Sequence, residues 1–279
     1  MEQAQIGPRL WAANTRSALE EENLSVPFET AAAWGLAIGS SLVAGAIVAA
    51  TLEIPDRAAA AISAFGGGIL LAAVAFELVP EADERAGPGL TAMALVGGTV
   101  IYLGADALLT RNKKHRSVRR KGHAAAAGRD VEMMIDEDET IRGELIAAGL
   151  FVDGIPESMA FGLTVSEKAI GVALLVGILV GNLVEAYGAA QPIIHGGHSK
   201  RFAIALLGAI GITLAGATIL GATILAGTSP EVIGGAQAIA AGAVLAVVSI
   251  SIIPHAFAEV NAWVAFYAVI GFVAGYVLG

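Results

Sequence analysis

Residues 143–163 read GELIAAGLFVDGIPESMAFGL. Beyond Glu144 at the edge, the stretch is apolar except for two carboxylates, Asp153 and Glu157. Its length suits a bilayer, whose hydrocarbon core of about 30 Å takes about 20 apolar residues as helix. An ionised carboxylate at that depth costs roughly 2.5–3.5 kcal/mol even on a lenient insertion scale. A third acid, Glu185, follows in the next apolar stretch. A chain that keeps several carboxylates at similar depth is using them. Holding a cation on its way across is the use their charge fits best.

The rest of the chain agrees with that setting. Of its 279 residues 56% are hydrophobic and 15% charged, with a mean hydropathy of +0.73. A soluble domain carries about 25% charged residues. The composition implies an all-α, multi-pass membrane protein with the lipid bilayer as its surroundings. Its 35 glycines suit a bundle whose helices approach closely, and such a bundle can form a homodimer. There is no cysteine, so disulfides and thiolate metal sites are excluded. The net charge of −9 and the confinement of most basic residues to one loop argue against a nucleic-acid partner.

Eight stretches are long and apolar enough to span: roughly 30–52, 58–79, 90–109, 143–163, 168–191, 202–226, 231–253 and 261–278. Turn signals fall between them at Pro55, Pro80, Gly87-Pro88-Gly89, Gly196-Gly197, Pro230 and Pro254. Orientation follows from Lys and Arg, which concentrate on the cytoplasmic side. With the N-terminus outside, Arg57, the basic residues from Arg111 to Arg142, Lys200 and Arg201 fall inside. Only Arg9, Arg16, Arg85 and Lys168 fall outside. Both termini are then extracytoplasmic, in a cell membrane. Residues 1–29 have no signal-peptide core and read as an acidic outer tail; 30–279 form the transporter domain, with a cytoplasmic loop at 110–142. That loop is basic in its first half and acidic in its second, and reads as a linker.

Two pairs of segments are related. Asp153-Gly154-Ile155-Pro156-Glu157-Ser158 in span four matches Gly181-Asn182-Leu183-Val184-Glu185-Ala186 in span five. Glu77-Leu78-Val79-Pro80-Glu81-Ala82 in span two matches Ser251-Ile252-Ile253-Pro254-His255-Ala256 in span seven. Each pair crosses in opposite directions. The pattern predicts inverted repeats, spans one to three and six to eight, around the central pair four and five.

The chemistry of the site follows from spacing. Asp153 and Glu157 are one helical turn apart and share a face, as do Asn182 and Glu185. Four oxygen-bearing side chains on neighbouring helices can converge on one ion. Pro156 has no N–H, so a helix through it leaves the carbonyl of Val152 without its partner, and a cation or water can serve instead. Carboxylates without a cation between them would repel and take up protons. The metal-site reading therefore takes Asp153, Glu157, Asn182 and Glu185 as ligands, with Glu77 on the approach. His195, His198 and His255 are candidates for an exit site.

These residues together resemble the ZIP (Zrt- and Irt-like) family of metal transporters. Its fourth span carries a motif like H-N-x-P-E-G, and its fifth often reads Q-N-I-P-E-G with a proline seven residues after the glutamate, where Pro192 stands here. Its second span ends like F-x-x-L-L-P-E-A, against Phe76-Glu77-Leu78-Val79-Pro80-Glu81-Ala82. The Gly271-Phe272 step in the last span is also similar. The resemblance covers roughly residues 30–279. It implies eight spans, a cytoplasmic loop after the third, and inward transport of zinc, iron or manganese as substrate, with no prosthetic group. Asp153 stands where the family has His, and Gly154 where it has Asn. An oxygen-only site is harder than one containing imidazole, which shifts preference toward manganese or iron or reduces selectivity.

Other classes are weighed against this. An intramembrane hydrolase needs His-Glu-x-x-His or a serine with a buried histidine, and no histidine lies in mid-span; the chain is not read as an enzyme. No phosphate-binding loop of the ATPase type is present. A ZIP-like scaffold or sensor with a degenerate metal site, or a transporter of another cationic solute, are the alternatives.

Overall fold

The computed structural model describes residues 6–109, 139–166, 170–225 and 228–279. Among these there is no strand: the fold is all-α. In chain order the helices are α1 (Ile6–Thr51), α2 (Asp56–Ala73), α3 (Val79–Leu109), α4 (Glu139–Ser166), α5 (Val172–His195), α6 (Lys200–Thr223), α7 (Pro230–Val247), α8 (Ile253–Val260) and α9 (Trp263–Leu278). Among the described residues, helix lies over most of each of the eight expected apolar stretches. Five helical runs are long and apolar enough to cross a membrane: Phe28–Thr51, Asp56–Leu108, Val172–His195, Lys200–Thr223 and Pro230–Val260. The helix Trp263–Leu278 is apolar and shorter.

Two expectations meet the structure at their edges. The tail at 1–29 is not set off by a break, because α1 runs from Ile6 to Thr51 as one helix. Residues 10–23 are rich in Ala, Leu and Glu, which have high helix propensity. The loop at 110–142 lies outside the described residues up to position 138, and Glu139–Arg142 already belong to α4. His115, His123 and Lys168 also lie outside them.

The run Asp56–Leu108 is not one rod. Gly67 lies against Val248 and Ile252, and Gly234 lies against Ala82, Arg85 and Ala86. Further on, Gly98 lies against Ile239 and Gly242 against Leu95. The partner numbers fall and then rise, so the chain doubles back between these contacts. The turning point is Gly87, with φ 74° and ψ 161°. That backbone suits glycine, which has no Cβ to clash. Pro88 follows with a φ preset for restarting a helix.

Just before Pro80 and Pro254 the chain widens into five-residue π turns, Val74–Leu78 and Val248–Ile252. Proline lacks an N–H and clashes with the carbonyl one turn back, and a π turn upstream relieves both. Glu77 is the fourth residue of the first turn and Ser251 the fourth of the second.

Glycines set the closest helix approaches. At Gly68 a Cβ would run into the carbonyl of Ala268, and at Gly271 into that of Phe65, so α2 and α9 meet backbone to backbone. At Gly98 it would meet the carbonyl of Ile239, and at Gly242 that of Leu95, so α3 and α7 meet in the same way. The helix α1 packs on α5 and α6, α4 on α5, α6 and α7, and α2 on α5, α8 and α9. The core lies among them, with Ile38, Leu42, Leu70, Phe161, Leu174, Ile178 and Leu207 buried. Large apolar side chains are exposed along α3 (Met93, Val96, Val100) and α9 (Val269, Val273, Val277). A surface of that kind suits hydrocarbon rather than water.

Candidate metal site

The site lies between α4 and α5. Near their connection the Gly171 N–H faces Thr164 Oγ1 at 3.5 Å. Deeper in, Glu157 stands on α4 and Glu185 on α5. The residue numbers move apart on both helices, so the two run antiparallel. Asp153 acts on both Glu157 and Glu185. Asp153 and Glu157 lie one turn apart on α4, and Asn182 and Glu185 less than a turn apart on α5. Asp153 is 4% exposed and Glu157 5%; Glu185 is partly buried. Close packing of α4 is set by Gly154, where a Cβ would come within 2.8 Å of Leu214 on α6.

As they stand, these groups are within electrostatic reach but not closed into a ligand shell. Among the described residues no three His, Asp or Glu side chains form a group that could hold a metal ion. Like charges repel when nothing lies between them.

Asn182 is 2% exposed and its Nδ2 has no hydrogen-bond partner. Ser158, fully buried beside Glu157, has an unpartnered Oγ. An orphaned buried polar atom costs about 1–3 kcal/mol, and a bound water or ion commonly satisfies such an atom. A flip of the Asn182 amide exchanges nitrogen for oxygen at the same place, so the residue can present either a donor or a ligand oxygen.

Glu77 is elsewhere. Its Oε1 accepts from the Ala173 N–H at 3.0 Å and its Oε2 from the Leu174 N–H at 3.2 Å. It caps the N-terminus of α5, about 16 Å along that helix from Glu185 at 1.5 Å per residue. A carboxylate there satisfies two of the donors that every helix start leaves open and complements the helix dipole.

The histidines are not gathered. His195, His198 and His255 are all exposed, and His198 stacks on Phe202 with ring centroids 4.4 Å apart.

Sequence reasoning missed Tyr102. It is 2% exposed on α3, and its hydroxyl donates to Asp153 Oδ1. A signal was available, since a phenol within an apolar stretch needs a partner. Also missed was a network joining α3 and α7. Arg85 donates to Glu81 at 2.7 Å and to Gln237 Oε1 at 2.8 Å, and Gln237 Nε2 donates to Glu81 Oε2 at 3.1 Å. Gln237 is fully buried, and its amide needs both a donor and an acceptor partner, which Arg85 and Glu81 supply.

The chain matches no protein-family model and no curated protein.

Proposed function

We propose that this protein is a ZIP-like transporter that carries a divalent metal cation of the zinc, iron or manganese class into the cytoplasm. The observation that carries this reading is the burial of Asp153 and Glu157 on α4 and of Asn182 on α5, two helices packed against each other. Asn182 and Ser158 offer unpartnered polar atoms beside them. Apart from residues at their ends, such as Arg142 and Lys168, no Lys or Arg stands within these stretches to neutralise the acids. A divalent cation would do so, and uncharged packing would not need three of them.

The helix packing supports an eight-span bundle of inverted repeats. Exchange α1 with α6, α2 with α7, α3 with α9 and α4 with α5. The contact of α3 with α7 then becomes that of α9 with α2, and α4 with α6 becomes α5 with α1. The contact of α2 with α5 becomes that of α7 with α4. The same exchange relates the two glycine crossings and the two π turns. In this reading both termini are outside the cell membrane, the acidic outer residues raise local cation concentration, and Glu77 lies on the approach.

A second reading is a ZIP-like sensor or scaffold. It is favoured by the open arrangement of the three carboxyls. Metal uptake into proteoliposomes separates the two. Wild type is expected to move Zn²⁺, Fe²⁺ or Mn²⁺, and Glu157→Ala and Glu185→Ala to lower the rate by at least about a hundredfold, as loss of a ligand to a buried ion should. A wild type that moves none of them, or two variants that move them unchanged, would refute transport through this site.

A further inference from the structure

We propose that Tyr102 is a specificity-determining residue of the carboxylate site: by donating to Asp153 Oδ1 it leaves that carboxylate one strong ligand oxygen and so favours small divalent cations over calcium. The inference rests on the transport reading above and names its substrate class more closely.

Tyr102 is well placed to impose this. One turn before it, Gly98 fits against the backbone of α7, and Thr99 Oγ1 donates to the Gly242 carbonyl at 3.0 Å. That crossing holds the α3 backbone and with it the phenol. Asp153 lies on a different helix, α4, one turn before Glu157. The Tyr102 hydroxyl therefore reaches the Asp153 carboxylate from α3, a third helix. An oxygen that accepts a phenol hydrogen bond has already shared its negative charge and is the poorer ligand of the two. Both groups are nearly inaccessible.

The consequence depends on ion size. Calcium takes about six to eight oxygens at roughly 2.3–2.6 Å and commonly engages both oxygens of a carboxylate. Smaller cations such as zinc bind at roughly 2.0–2.2 Å and need only about four ligands. Weakening one oxygen of Asp153 costs a small ion little. For calcium it removes part of an already short supply, since Asn182 contributes at most one oxygen.

The test is uptake of Zn²⁺ and of Mn²⁺ into proteoliposomes with Ca²⁺ as competitor. Tyr102→Phe is expected to lower the Ca²⁺ concentration that halves uptake by about tenfold, the scale of one hydrogen bond to a charged group. In the Asp153→Asn background the same change should produce no shift, because the amide turns its N–H to the phenol oxygen and keeps its one oxygen for the metal. Asp153→Glu moves the carboxylate past the phenol and is expected to shift competition in the same direction, which keeps the test open if Tyr102→Phe does not fold. An active Tyr102→Phe with wild-type calcium sensitivity, or a shift that persists with Asp153→Asn, overturns the role of Tyr102 and leaves the transport reading standing. A wild type that moves neither metal overturns both.

Discussion

Glu77 and Ala173 are 96 residues apart in sequence, yet the carboxylate of the first accepts the backbone N–H of the second at 3.0 Å. The adjacent Leu174 N–H takes the other oxygen. Glu77→Ala would leave both donors open at a helix start and is expected to cost about 2 kcal/mol. Glu77→Gln keeps one acceptor oxygen and should cost about half as much. Denaturant unfolding in detergent measures both, and unchanged midpoints would rule out a stabilising cap. The Gln variant also isolates the charge: if Glu77 lines the cation's approach, its KM for metal rises although the helix end stays capped.

Gly39 and Gly211 face each other across α1 and α6. A Cβ on Gly39 would stand 2.5 Å from the Gly211 carbonyl oxygen, and one on Gly211 would stand 2.6 Å from that of Gly39. Neither backbone can yield without parting the helices. Leucine at either position is expected to cost about 3 kcal/mol or more. Gly97→Ala is the control, since a Cβ there meets nothing within 4 Å and helix propensity favours alanine by up to about 1 kcal/mol. Thermal unfolding that ranks Gly211→Leu beside Gly97→Ala would contradict this packing.

Asp153 stands where the resembled family has histidine, and imidazole suits borderline metals better than carboxylate does. Asp153→His is expected to raise the ratio of zinc to manganese uptake on the order of tenfold. The assay is uptake with the two metals in direct competition. A wild type in which zinc already outcompetes manganese by a wide margin would sink the preference drawn from an oxygen-only site.

Much of the fold was legible because its causes are local. Pro55 precedes α2, Pro230 opens α7, and Gly196-Gly197 follow the end of α5 at His195. Gly87-Pro88 marks a reversal that helix assignment alone runs through. The spacings of Asp153 with Glu157 and of Asn182 with Glu185 place each pair on one helix face. The tail does not separate from α1 because polarity alone does not end a helix. Charge groups Glu77 with the ligands, yet charge says nothing about which neighbour supplies hydrogen-bond donors.

The sequence by itself determined that the chain is helical, apolar enough for a bilayer, and equipped with acids in its apolar stretches. Those properties reside in runs of residues and in fixed helical periods. Only the tertiary structure decided that Tyr102 belongs to Asp153, that Glu77 belongs to the start of α5, and that Gln237 completes the pair Glu81 and Arg85. Each of these joins residues on separate helices. Such partnerships depend on how closely glycine-bearing helices approach and at what register, and no local pattern encodes that.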